Sequence, residues 1–468
     1  MLKINNNFKV LLAGRLLQIV ITLCALRIST TILPQIELGF VYYIITVQSF
    51  FSLFLINPIG QYFNRQTAKW NFEGQIYGAY KKQLLYILLI TIFSFLFMFV
   101  IKLSGLNLLP YNLLIITSFL ILSQSANQTI VPLLNMLEQR VAFVVFNLLT
   151  ALLSLICSYV FIQYFSPTAL SWLTGLVIGN GFVVILATFG FRAKYLVETS
   201  KRLPLDFNEI RKFCFPIAIA TIFMWFLNSG YRMIVEKMYG LEFLAFLGVG
   251  LAVSSQVFAI AESLLTQYFI PELYKNSENS TKEKRTDLVN SYFYTVIPLY
   301  VSLALFLTFS VKYLFPFVIG EQYYDAYIFA IYGAWIELGR VLVNTFAVVS
   351  QVEKKTVKFI LPYALGAIYL SVGLFLKSWL QFGIQIQTIL VGSSIVVLVS
   401  MYISMRSYLL FRIPFKRILL SIGMTLPAIG YFVVFDFNVA LSISNFIMCF
   451  FGGGLYLVGL FFMNKKQS

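Results

Sequence analysis

The residues able to do chemistry in this chain are polar side chains set at helical spacing inside long apolar runs. Arg15, Gln18 and Thr22 stand at i, i+3 and i+7, on one face of a helix. Asn57, Gln61, Asn64 and Arg65 follow in the second run, and Gln124, Asn127, Gln128 and Asn135 line one side of the fourth. Further along come Asn228, Arg232 and Glu236, then Ser255, Glu262 and Thr266, then Glu337, Arg340 and Asn344. Polar groups in such runs are costly unless they face protein or water, so their alignment points to a lined cavity. Two uses compete for each of them. The amides either bind a ligand or bond a neighbouring helix, a contact worth on average about 0.6 kcal/mol. Glu337 and Arg340 either neutralise one another or serve an ion. Arg27, Arg232 and Lys237 either act or extend to the outer membrane interface. Arg15 has no acidic partner on its own helix, and we read it as functional.

Composition says what must position these residues. Of 468 residues, 60% are hydrophobic and 11% charged, and the mean hydropathy is +0.86. A soluble domain could not hide that much apolar surface, so lipid is the solvent. The net charge of +16 is spread in short clusters between apolar runs and forms no continuous basic face, which excludes nucleic acid as a partner. With no histidine, the chain lacks His-based acid/base catalysis, the Ser-His-Asp triad and the commonest metal ligand. Cys24, Cys157, Cys214 and Cys449 lie far apart inside apolar runs, so neither a disulfide framework nor a metal site is indicated. There is no Walker A motif, and no cofactor is expected.

Apolar runs of spanning length occupy 8–28, 39–63, 83–103, 111–137, 141–165, 169–191, 213–237, 241–271, 289–314, 326–350, 358–378, 384–407, 415–435 and 443–463. Most of the 34 Lys and Arg fall on alternate sides, in the segments holding Arg65, Arg192, Lys201, Lys282, Lys354, Arg412 and Lys465. Positive residues stay cytoplasmic, so both termini are expected inside. The first run contains Arg15 and no clear small-residue cleavage site, and reads as a retained helix. The fold expected is an all-α polytopic transmembrane helix bundle of about fourteen spans. Its parts are an N-terminal six-helix lobe at 1–191, a cytoplasmic basic linker at 192–212, a second six-helix lobe at 213–407, and two additional helices at 408–468. The tripeptide QYF recurs at Gln61–Phe63 and Gln267–Phe269, as expected of two related lobes. Gly175 and Gly179, and the cluster Gly452–Gly454, are expected to pack helices closely.

The stretch from Arg15 to Thr67, and above all Pro58–Arg65 (PIGQYFNR), resembles the opening of Wzx-type O-antigen and capsule repeat-unit flippases. These are polysaccharide transporters of the multidrug/oligosaccharidyl-lipid/polysaccharide exporter superfamily. The resemblance implies a non-enzymatic flippase of the bacterial inner membrane. It would move an undecaprenyl-diphosphate-linked oligosaccharide from the cytoplasmic to the periplasmic leaflet by alternating access. Partners would be that substrate, membrane lipids, a polysaccharide polymerase and a chain-length regulator.

On that reading Arg15, Gln18, Asn57, Gln61, Asn64, Arg65, Asn127, Asn228, Arg232 and Arg340 bind substrate, and Glu236, Glu262 and Glu337 are the coupling-ion candidates. The same carboxylates keep open a cation or drug antiporter of the same fold. A polysaccharide polymerase or O-antigen ligase is the third alternative. It is disfavoured by the short outer loop at Phe315–Asp325. Cysteine labelling tests the topology: Lys201 and Lys282 should react only from the cytoplasm, and Ser166, Glu321 and Asp436 only from outside. Labelling of Lys201 from the periplasm would refute the orientation.

Overall fold

The computed structural model describes residues 6–104, 110–196, 205–277, 280–353, 357–380, 385–435 and 441–465. Lys201, Arg202, Lys354, Lys355, Asp436 and Lys466, all part of the expected topology, lie outside them, as does 197–204 of the basic linker. The helices are α1 (Asn6–Ile32), α2 (Gln35–Phe51), α3 (Asn57–Phe72), α4 (Ile76–Leu103), α5 (Tyr111–Met136), α6 (Arg140–Tyr164), α7 (Ala169–Tyr195) and α8 (Phe207–Trp225). They continue as α9 (Tyr231–Ser277), α10 (Lys282–Val318), α11 (Tyr327–Val352), α12 (Ile360–Leu380), α13 (Ile386–Arg406), α14 (Phe415–Val434) and α15 (Ile443–Lys465). Among the described residues there are 13 apolar helical segments long enough to cross a bilayer.

One of these, Phe207–Ser277, has 71 residues. As a straight helix it would measure roughly 107 Å, against about 30 Å for a bilayer core. Gly240 breaks it with φ 82 and ψ 176, a conformation that side chains with a Cβ rarely adopt. Taken as two spans, the segment brings the count to the expected fourteen.

The described chain divides into two compact units, Met1–Ala245 and Phe246–Ser468. In the first, a core of Tyr62, Phe63, Trp70, Tyr80, Val183 and Phe191 ties α3, α4 and α7 together. α2 runs into α3 through a π-helical turn at Ser52–Ile56, and α8 into α9 through another at Phe226–Gly230. Trp225 anchors the second turn by donating its indole N–H to the Thr46 carbonyl at 3.0 Å. Glu37 of α2 accepts the Ala169 backbone N–H at 2.7 Å, placing a carboxylate on the N-terminus of α7 where the helix dipole favours it. In the second unit, α14 and α15 lean on α10. Tyr313, Phe432 and Met448 form a small core there, and the Tyr313 hydroxyl donates to the Phe432 carbonyl at 3.2 Å.

Gly175 and Gly179 do pack closely: a Cβ on either would meet the backbone of Ser158 or Ser154 of α6. Gly452 likewise lies against the Phe432 ring, whereas Gly453 and Gly454 meet nothing within 4 Å. Gly175→Leu should therefore destabilise the α6–α7 contact by about 1–3 kcal/mol, read as a lower unfolding temperature of the purified protein. Gly453→Leu should leave that temperature unchanged.

Candidate functional site

In the second unit, Glu337, Arg340 and Asn344 stand at i, i+3 and i+7 on α11, and Arg340 and Asn344 converge on Glu262 of α9. Arg340 donates Nη1 to Glu262 Oε2 at 2.8 Å and Nε to Glu337 Oε2 at 2.6 Å. The Asn344 amide donates to the other Glu262 oxygen at 2.7 Å. Tyr292, Tyr300 and Tyr363 lie within electrostatic reach of Glu262. The side chains of Arg340, Glu262 and Glu337 are 30%, 20% and 13% exposed, so water screens them only in part. Two carboxylates share one guanidinium, so with all three ionised the cluster carries one net negative charge.

In the first unit, α3 meets α4 and α5 around a cavity of about 130 Å³. Asn57 and Asn64 of α3, Gln83 of α4, and Ser125, Gln128 and Thr129 of α5 line it, together with Ser52 from the π-helical turn. No charged residue is among its lining residues. The turn is fixed by Gln48, which donates to Ser52 Oγ at 2.8 Å, and by the 3.2 Å pair of Ser52 and Ser125 hydroxyls.

Of the remaining residues expected at the site, Gln61 and Arg65 are exposed on α3 and do not line this cavity. The Arg65 guanidinium lies 5.5 Å from the centre of the Phe213 ring. Asn127 is buried and donates to Thr150 Oγ1 at 3.0 Å, joining α5 to α6. Asn228 is exposed within the second π-helical turn.

Arg15 lies on α1, half-buried, and donates Nη1 to Gln18 at 2.9 Å, while its Nε is buried with no partner among the described residues. On α9, Arg232 sits over the Tyr42 ring at 5.6 Å with its Nε likewise unpartnered. Glu236, one turn on, is 8% exposed, and its Oε2 is buried without a partner among the described residues. The structure thus gathers Asn57 with Asn64, Arg15 with Gln18, and Glu262 with Glu337 and Arg340.

Gln83 is the lining residue that sequence reasoning missed, since Lys81 and Lys82 just before it make it look interfacial. The signal was present: Gln83 falls in the buried stripe of α4 with Ala79, Tyr80 and Ile87.

No protein-family model matches the chain, and no curated protein sequence does. Solved structures do. A lipid II flippase MurJ in an inward closed conformation superposes with a TM-score of 0.67 over 98% of this chain and 99% of its own, at 14% identity. An inward-facing multidrug resistance MATE family transporter of the MOP superfamily reaches 0.52 over 87% of this chain and 96% of its own, at 11% identity. An outward-facing structure of the same description reaches 0.50 over 88% of this chain and 94% of its own, at 12% identity. The chain has the fold of MOP-superfamily transporters. With its many spanning helices, it is a multi-pass membrane protein.

The carboxylate cluster gives a direct stability test. Removing Arg340 strands two carboxylates, and breaking a buried pair costs up to about 3–5 kcal/mol, reduced here by partial exposure. Arg340→Gln should lower the unfolding temperature, and adding Glu262→Gln should restore part of the loss. Equal losses in single and double variants would show that the pair is not coupled.

Proposed function

We propose that this protein is a non-enzymatic flippase. Its substrate would be an undecaprenyl-diphosphate-linked oligosaccharide repeat unit of O-antigen or capsule. Movement would run from the cytoplasmic to the periplasmic leaflet of the bacterial inner membrane by alternating access, with both termini in the cytoplasm. The observation that carries the reading is the full-length likeness to a structure named as a lipid flippase, which spans 98% of this chain. The two MATE structures cover 87% and 88% of it. The functional lobes proposed remain 1–191 and 213–407, joined by 192–212 and followed by the pair at 408–468. A polymerase and a chain-length regulator are the proposed partners.

The site chemistry fits this substrate. A diphosphate at membrane depth needs fixed cations, since an unpaired buried ion costs several kcal/mol. Arg15, Arg65, Arg232 and Arg340 are the proposed cations, and Asn57, Asn64, Gln18, Gln61, Asn127 and Asn228 the proposed polar contacts. Arg15 retains donor capacity beyond its bond to Gln18, because its Nε has no partner among the described residues. Glu236, Glu262 and Glu337 are the proposed coupling-ion sites. The two carboxylates on one arginine favour a second reading, a cation or drug antiporter of the same fold, in which the carboxylates rather than Arg15 decide transport.

Direction follows from charge. A membrane potential negative inside favours outward movement of an anion by about 2.3 kcal/mol per charge per 100 mV. In proteoliposomes holding lipid-linked substrate, collapsing the potential should slow flipping. Arg15→Ala should weaken substrate binding roughly ten- to hundredfold, the loss of a charge-assisted hydrogen bond. Arg15→Lys should retain part of it, having the charge without the planar fork of donors. Wild-type binding and flipping by well-folded Arg15→Ala would refute the diphosphate role. Loss of transport on Glu262→Gln or Glu337→Gln with Arg15→Ala unaffected would favour the antiporter.

A further inference from the structure

The cavity in the first unit contains a side chain that its fold leaves unanswered. Gln83 is 6% exposed, yet among the described residues its amide has no hydrogen-bond partner. It lines the 130 Å³ cavity and also a smaller neighbouring one walled by Phe63, Trp70 and Tyr80. Gln83 lines the cavity, so its amide donors and acceptor are presented to whatever fills it, water or ligand. At the mouth of the same cavity, Asn64 and Gln128 are exposed and also lack partners among the described residues. Asn57 completes the set, while the Ser52 and Ser125 hydroxyls are engaged with one another.

The chemistry of this lining selects its ligand. A cation would call for carboxylates and a phosphate for arginine or lysine, and the lining has neither. Four amides offer donors and acceptors in equal measure, the complement of a neutral molecule dense in hydroxyl or acetamido groups. The volume corresponds to about four waters at roughly 30 Å³ each, a space suited to one sugar ring and too small for a chain of them. We propose that this cavity is a subsite for a single uncharged sugar residue of the substrate, with Gln83 at its floor and Asn64 and Gln128 at its mouth. The proposal rests on the flippase reading. It adds that the sugar and the diphosphate are held by different residues.

The test compares binding of three probes to the purified full chain: undecaprenyl diphosphate bearing one galactose, the same lipid bearing one N-acetylglucosamine, and bare undecaprenyl diphosphate. At least one sugar-bearing lipid should bind roughly tenfold or more tightly than the bare lipid. Gln83→Leu and Gln128→Leu should each reduce that increment and leave affinity for the bare lipid unchanged. Gln128 is exposed, so its variant carries the test should Gln83→Leu fail to fold. Bare lipid binding without any sugar increment, or equal losses for all three probes in folded variants, would overturn the subsite and leave the flippase reading standing. Failure of every probe to bind the wild-type protein would overturn both.

Discussion

A lipid interior supplies no hydrogen-bond partner, so each polar group that enters it must find one within the chain. Most side-chain hydroxyls here return to their own helix: Thr22, Thr46, Thr91, Thr117 and Thr150 each donate to the carbonyl four residues earlier. Others bridge helices, as Tyr80 does with Thr188 at 2.7 Å and Ser254 with the Ala330 carbonyl at 2.6 Å. Glu37 is absorbed by the end of α7. Against that background of settled groups, the exceptions carry information. Among the described residues, buried atoms of Arg15, Arg232 and Glu236 are three such exceptions, on helices that the flippase reading uses.

The same constraint explains why the fold was legible in the sequence. An apolar run long enough to span a bilayer is a helix because only intrahelical bonds satisfy its backbone, so counting runs amounts to counting helices. The run boundary between 213–237 and 241–271 anticipates the break at Gly240, since a polar, glycine-bearing stretch interrupts an otherwise continuous apolar segment. The site was less legible. Periodicity placed Glu337, Arg340 and Asn344 on one face, but nothing local says that Arg340 and Asn344 share Glu262, 78 residues away from Arg340. Asn127 and Asn64 look alike in the sequence, yet Asn127 is held by Thr150 and Asn64 borders a cavity. Which helix stands opposite a polar face is a tertiary fact, and one sequence does not contain it.

The π-helical turns show how the two kinds of information meet. Each inserts an extra residue into a helical turn and so rotates the downstream helix relative to the upstream one. At Ser52–Ile56 the turn begins at Ser52, which pairs with Ser125, and the helix that follows it presents Asn57 and Asn64 to the same cavity. At Phe226–Gly230 it precedes Arg232 and Glu236, which stand four residues apart yet form no ion pair. Side chains of opposite charge at that spacing ordinarily attract. Here Arg232 turns to the Tyr42 ring and leaves Glu236 Oε2 buried without a hydrogen bond among the described residues.

Charge is distributed unevenly, and that unevenness bears on mechanism. The first unit pairs a neutral amide cavity with arginines that retain unused donors, a combination suited to a ligand that is part sugar and part anion. The second unit holds two carboxylates on one arginine, with both oxygens of Glu262 already bonded. Here Arg340 is committed to two carboxylates, in contrast to Arg15 and Arg232, whose Nε atoms have no partner among the described residues. Arg340 is the fixed charge that ties the two carboxylates together, bonding Glu262 at 2.8 Å and Glu337 at 2.6 Å, so any ligand that reaches it meets both of them as well.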